Sequence, residues 1–145
     1  MKQKKTMRRK SFTMIEIVVV IVILVALASI ATPLYMNHIK KANIGTAKTQ
    51  IKLLEDALAG YKLDVGTYPS TEDGLQALMT NPGDSEKWKG PYIKGGTIPL
   101  DPWDNEYVFK KPGTHGEFDI ISYGADGQPE GDGENADIGN WNTEE

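Results

Sequence analysis

The longest apolar run of the chain lies near its start, where residues 12–34 contain no charge except Glu16. About 20 apolar residues, each rising about 1.5 Å along a helix, cross the hydrocarbon core of a membrane. The run therefore predicts one membrane-spanning helix. Within it Glu16 requires a cationic partner, because a carboxylate in apolar surroundings costs about 2.5 kcal/mol or more. Pro33 lacks the N–H that would bond to the Ser29 carbonyl, and it favours a kink.

After this run the apolar residues recur at steps of three and four, the spacing of an amphipathic helix. They are Ile44, Ala47, Ile51, Leu54, Leu58 and Tyr61. No proline separates Pro33 from Pro69, so we predict one continuous helix from the membrane run to the end of this stripe. We expect the apolar stripe to pack on the remainder of the chain.

The rest of the chain shows shorter patterns separated by turn residues. Ser70-x-x-Asp73 offers a cap for a short helix through Leu75, Leu78 and Met79. Three extended segments follow, at residues 106–110, 117–123 and 138–141. We therefore predict an α+β fold, in which a long N-terminal helix, membrane-spanning in its first half, packs on a small head of a short helix, loops and a small antiparallel sheet. The large apolar residues of the head are predicted as core rather than as a binding surface: Tyr92, Trp103, Tyr107, Phe109, Phe118 and Ile120.

Charge is distributed unevenly along the chain. Residues 1–11 hold six of the sixteen Lys and Arg residues and no acid. Because basic flanks stay in the cytoplasm, we predict a cytoplasmic leader at residues 1–11, a membrane-spanning helix at 12–34 and, on the other side of the membrane, a head at 35–145 that includes the outer half of the long helix. Without the leader, ten basic and twenty acidic side chains remain. Such an acidic chain is a poor binder of nucleic acid, whose backbone is bound by clustered Lys and Arg.

The junction between the leader and the membrane run has a specific residue pattern. A basic leader is followed by Ser11, Phe12, Thr13, Met14, Ile15 and Glu16, and Pro33 comes later in the apolar run. This pattern resembles the type IV pilin-like family, with Pro33 where the family has its proline. The resemblance implies that a prepilin peptidase cuts between Ser11 and Phe12 and methylates the new amine of Phe12. It also implies that this amine supplies the cation for Glu16, and that Glu16 and Pro33 serve fibre assembly. The family usually has glycine where this chain has Ser11.

Four later segments carry a further pattern, at residues 61–64, 68–78, 101–107 and 137–141. They are similar to the major pseudopilins of type II secretion systems, a branch of the same family. The similarity implies a non-enzymatic, single-pass subunit of the inner membrane with a periplasmic head. It also implies that this subunit polymerises with copies of itself into a periplasmic fibre and drives export of folded proteins across the outer membrane. It also implies minor pseudopilins and an inner-membrane assembly platform as partners. Two alternatives stay open: the major pilin of a type IV pilus, which usually has a disulfide that this cysteine-free chain lacks, and a signal-anchored calcium-binding periplasmic domain.

The loop at residues 124–137 is rich in glycine and acidic residues and has almost no apolar residue to bury. Composition alone favours a solvated loop at least as much as a metal site. Calcium accepts six to eight oxygen ligands, and a flexible acidic loop can wrap one. The pseudopilin resemblance implies a calcium site that uses the side chains of Asp126 and Asp137 and the carbonyls of Tyr123 and Gln128. Candidates for the remaining ligands are Asp132, Glu134 and Asn135.

Candidate catalytic residues are scarce, because the chain has no cysteine and only two histidines. A nucleophilic site would have to combine His115 with Asp119 and Ser122. Those three residues crowd one predicted hairpin, and residues 119 and 122 point to opposite faces of a strand. The sequence therefore predicts that the protein is not an enzyme.

Overall fold

The computed structural model describes residues 12–143 of the chain. The predicted leader at residues 1–11, with the predicted cleavage residue Ser11, lies outside the described residues. The chain divides into two compact units, Met1–Ile39 and Lys40–Glu145. Helix α1, Met14–Val65, begins in the first unit and ends in the second. The continuous long helix predicted from the apolar pattern is therefore confirmed.

The described part of the first unit consists almost entirely of the apolar half of α1. Every described residue before Lys40 is exposed, including Phe12 at 75%. Among residues 12–143, α1 is the one helix long and apolar enough to cross a membrane. Pro33 lies inside the helix without ending it. Just before it, the hydroxyls of Ser29 and Thr32 each donate to the carbonyl four residues back, at 2.8 Å.

In the second unit, α1 buries one face against the head. The buried residues of the helix are Ala47, Ile51, Leu54, Leu58 and Tyr61. These are five of the six residues predicted from the spacing, and the sixth, Ile44, is partly buried against the same core. The helix ends at Val65, and Gly66 follows with φ of +96°, a left-handed conformation that favours glycine.

The head contains a three-stranded antiparallel sheet in the order β1 (Val108–Lys110), β2 (Asp119–Ser122) and β3 (Ile138–Gly139). The register pairs Phe109 with Ile120 and Ser122 with Ile138. The three predicted strands are confirmed in place, but each is shorter than predicted. The third stops after Gly139 because the Asn142 N–H bonds to the Gly139 carbonyl and closes a turn. Strand ends depend on such local alternatives to the ladder.

The predicted short helix is a 3₁₀ helix at Gly74–Leu78, and Met79, which was predicted within it, is its C-cap. Ser70 caps the turn that leads into it, because its hydroxyl accepts the N–H of Asp73 at 3.1 Å and donates to the Asp73 carboxylate at 2.6 Å. Leu75, Ala77 and Leu78 are buried in the core. The short helix is thus held mainly by its apolar face.

Aromatic side chains fill the space between α1 and the sheet. Tyr107, Phe109 and Phe118 are buried, while Tyr92 and Trp103 are partly buried against the same cluster. Burial, followed by the charge of nearby Asp101, raises the pKa of Tyr107. Its protonated hydroxyl donates to the side-chain carbonyl of Gln50 on α1. The prediction that these aromatic residues form a core is confirmed.

Candidate functional site

Glu16 and Thr13 form a capping box at the start of α1. The N–H of Glu16 donates to the Thr13 hydroxyl at 3.3 Å, and the N–H of Thr13 donates to the Glu16 carboxylate at 3.5 Å. In the uncut chain the Phe12 nitrogen is part of a peptide bond, so it offers no cation to Glu16. The positive end of the helix dipole and the free N–H groups stabilise the carboxylate instead. Sequence reasoning missed Thr13, although the pattern Thr-x-x-Glu before an apolar run is a recognised capping signal.

The acidic loop consists of two short 3₁₀ turns that lie against each other, Gly124–Asp126 and Gly133–Asn135. Gly124 has φ of +67°, and a Cβ atom there would lie 2.6 Å from the carbonyl oxygen of Glu134. The close approach therefore requires glycine at this position on both counts. This close packing of the Gly124 turn on the Glu134 turn joins the two halves of the loop.

Asp126 and Asp137 use one carboxylate oxygen each inside the loop. Asp126 Oδ1 accepts the N–H of Gln128 at 3.1 Å, and Asp137 Oδ2 accepts the N–H of Glu130 at 3.2 Å. Asp137 Oδ1 is buried and has no hydrogen-bond partner within the protein. A buried acceptor without a donor is costly, so this oxygen is suited to a cation. Tyr123 is half-buried at the start of the same loop.

The candidates for the remaining ligands have different positions. Glu134 accepts the indole N–H of Trp103 at 3.3 Å and forms an ion pair with Lys40 at 3.4 Å. The carbonyl of Asp132 accepts the N–H of Asn135 at 3.2 Å. Within residues 12–143, no group of three or more His, Asp or Glu side chains is placed to hold a metal ion. The calcium-ligand set implied by the resemblance contains only two carboxylate side chains, together with backbone carbonyls. This ligand set stays a prediction.

A buried polar network supports the beginning of the loop. Ser122 donates its hydroxyl proton to Asp101 at 2.6 Å and accepts the N–H of Gly124 at 3.3 Å. The other carboxylate oxygen of Asp101 accepts the N–H groups of Trp103 and Asn105 at 3.0 and 2.8 Å. The Asn105 side chain in turn donates to the Gly124 carbonyl at 3.0 Å. Sequence reasoning missed that Asp101 and Asn105 support the start of the acidic loop. The available signal was Asp101 itself, because aspartate commonly begins a turn.

His115, Asp119 and Ser122 do not form a catalytic triad. The ring of His115 stacks on Trp141 with centroids 3.7 Å apart, and its Nδ1 lies 3.3 Å from Asp119. Ser122 is fully buried and bonded to Asp101. Burial alone would raise the pKa of Asp119, but hydrogen bonds from the backbone of Thr114 and His115, together with the His115 ring, hold the pKa below its ordinary value. Asp119 therefore stabilises the β1–β2 connection as a carboxylate.

An apolar N-terminal helix that continues into an amphipathic half packed on a small antiparallel sheet defines a type IV pilin-like protein. The fold class predicted from the sequence is therefore confirmed. The match to solved structures agrees with it: the crystal structure of the major pseudopilin from the type 2 secretion system of enterohaemorrhagic Escherichia coli superposes with a TM-score of 0.61 at 35% identity, covering 73% of this chain and 92% of that one.

Residues 34–141 match the family model for type II secretion system protein G. The chain is 45% identical over 145 residues to the type II secretion system core protein G of Vibrio cholerae, with 98% of both chains covered. It is 45% identical to the protein of that name from Pseudomonas aeruginosa, with 94% of this chain and 97% of the other covered. The chain belongs to the type II secretion system protein G family, the major pseudopilins. It is a structural subunit and not an enzyme, as the sequence predicted.

Proposed function

We propose that this chain polymerises into the periplasmic pseudopilus of a type II secretion system and that growth of the fibre drives export of folded proteins across the outer membrane. One observation carries the proposal: all described residues of the apolar half of α1 are exposed, although the second unit has a complete core of its own. Such a surface is stable only in lipid or against other apolar helices. An inner-membrane pool of subunits and a fibre of packed helices supply these two environments in turn.

Maturation changes the partner of Glu16 in this proposal. A prepilin peptidase cuts between Ser11 and Phe12 and methylates the Phe12 amine, which stays positively charged. Glu16 then exchanges a capping bond to the Thr13 N–H for a charge-assisted bond to that amine, in its own subunit or in its neighbour. The pairing fixes the register of subunits in the fibre. Minor pseudopilins and an inner-membrane assembly platform complete the machinery.

Intact mass and N-terminal sequence of the protein from native membranes, with and without active prepilin peptidase, test this pathway. We expect a chain that begins at methylated Phe12 only when the peptidase is active. The Ser11→Gly variant, which has the family's usual residue, is the positive control for processing. If the unmodified chain keeps residues 1–11 in the presence of active peptidase while Ser11→Gly is cut, the protein is a signal-anchored periplasmic domain and not a fibre subunit.

We further propose that the acidic loop binds calcium through the side chains of Asp126 and Asp137 and the carbonyls of Tyr123 and Gln128. The buried, unpartnered Oδ1 of Asp137 supports this assignment, as does a donor set made entirely of oxygen. Bound calcium neutralises the two carboxylates and closes the loop. Because the unfolded chain has no such site, the binding free energy adds to the folding free energy of the head.

Isothermal titration of the full-length protein with calcium, after treatment with a chelator, tests this second proposal. We expect Asp137→Asn to weaken calcium binding at least about tenfold, since it removes one of only two charged ligands. Glu130→Gln is the matched control, because it removes one charge from the same loop at an exposed position outside the predicted set. Equal affinities in the two variants would contradict the assignment of Asp137.

A further inference from the structure

Glu134 links the acidic loop to helix α1. Its side chain is only 24% exposed, and each of its two carboxylate oxygens has a partner outside the loop. Oε1 accepts the indole N–H of Trp103, which packs against the core, and Oε2 lies 3.4 Å from the ammonium group of Lys40. A carboxylate whose two oxygens are both engaged in this way has little capacity left for a metal ion.

The position of Glu134 depends on how the loop closes. The backbone around Glu134 packs closely on two glycines: a Cβ atom at Gly124 would lie 2.6 Å from the Glu134 carbonyl oxygen, and one at Gly131 would lie 2.6 Å from the Asn135 carbonyl oxygen. The turn at Gly124 carries Asp126, and Asp137 follows the turn that contains Glu134. A change that opens the loop around Asp126 and Asp137 therefore also moves Glu134 away from Lys40.

The Lys40 end of this contact is the least supported part of α1 in the second unit. None of residues 40–46 is fully buried, and Ala47 is the first fully buried residue among the described residues of the helix. Few buried contacts make a helical turn prone to local opening. The ion pair with Glu134 is therefore well placed to stabilise this turn. Lys40 also follows by only a few residues the end of the predicted membrane span at residue 34.

We propose that Glu134 is a positioning residue rather than a calcium ligand, and that it couples closure of the loop to the stability of α1 at residues 40–46. The inference rests on the calcium proposal made above. Calcium binding stabilises the closed loop, and the closed loop positions Glu134 beside Lys40. The ion pair between these two residues then stabilises the helical turn at residues 40–46. By reciprocity, breaking the ion pair weakens calcium binding.

Hydrogen exchange of the full-length chain in lipid nanodiscs, with calcium or with a chelator, tests the coupling. In the unmodified chain we expect calcium to slow exchange at residues 40–46 by about fivefold, the upper range for one partly exposed ion pair. Glu134→Gln should abolish most of this protection. Glu130→Gln, which removes the same charge from an exposed place in the loop, should retain it.

Calcium affinities of three variants separate a positioning role from a ligand role. If Glu134 acts through Lys40, then Lys40→Gln and Glu134→Gln weaken calcium binding to the same extent, and the double variant is no weaker than either. If Glu134 is a ligand, Glu134→Gln weakens binding while Lys40→Gln leaves it unchanged or strengthens it, because a cation near the site has been removed. Lys41→Gln, one residue further along the helix, controls for the general loss of positive charge.

Each outcome decides one proposal. Equal, non-additive losses with Lys40→Gln and Glu134→Gln support the coupling. A loss confined to Glu134→Gln overturns it, and so does unchanged protection of residues 40–46 in that variant. Absence of calcium binding to the unmodified chain would instead refute the calcium site itself, which the titration detects before any variant is made.

Discussion

Replacing Asp119 by asparagine removes one charge from a buried carboxylate while keeping its shape. Asp119 is 1% exposed at the start of β2. Its Oδ2 accepts the N–H of Thr114 at 2.7 Å, and its Oδ1 accepts the N–H of His115 at 3.2 Å. An asparagine side chain has only one oxygen, so in either orientation its NH₂ group faces a backbone N–H. One charge-assisted hydrogen bond is lost and two donors are brought together.

We expect Asp119→Asn to lower the free energy of unfolding by about 1.5 to 3 kcal/mol at neutral pH, the usual value of a hydrogen bond to a charged group. Urea unfolding of the full-length protein in detergent, followed by tryptophan fluorescence, measures the change. Glu106→Gln, an exposed neutralisation beside β1, is the control and should stay within about 0.5 kcal/mol of the unmodified protein.

The pH dependence has a definite sign. The pKa of Asp119 is lower in the folded protein than its ordinary value, so its contribution is complete above the unfolded pKa of about 3.9 and is lost as the pH falls through the folded pKa. The difference between the two proteins should therefore shrink below about pH 4. A difference under about 0.5 kcal/mol at neutral pH, or one that grows in acid, would refute the reasoning.

Two further predictions concern packing in the head. Leu58→Ala, at a fully buried position on α1, should lower the free energy of unfolding by about 2 to 5 kcal/mol. Leu63→Ala, at a position that is 87% exposed, should lower it by less than about 0.5 kcal/mol. Similar urea midpoints for the two variants would contradict the assigned helix face. Gly124→Ala should cost about 1 to 3 kcal/mol more than Gly133→Ala, because both glycines have φ near +65° but only a Cβ at Gly124 meets the Glu134 carbonyl. Equal losses in these two variants would mean that backbone strain alone sets the cost.

The helix and its faces could be predicted because their signals are local. An uncharged apolar run and a stripe at steps of three and four are repeated over many residues, so α1 and its buried residues were predicted almost completely. The sheet was predicted less well. Alternating patterns located β1, β2 and β3, but the ends of each strand depend on partners and turns elsewhere, such as the turn that stops β3 after Gly139.

Within the candidate sites, charge and composition alone marked Glu16 and the acidic loop without reference to the fold, and the family resemblance added the predicted role of Phe12. Only the tertiary structure decided what their side chains contact. It brought Glu134 to Lys40 and left Asp137 Oδ1 buried without a hydrogen-bond partner. The bond between Thr13 and Glu16 is local, and a sequence pattern marks it. The pair of Glu134 and Lys40, in contrast, joins segments far apart in the chain, and it depends on where close-packed backbones allow each side chain to reach. No periodicity in the sequence records that geometry.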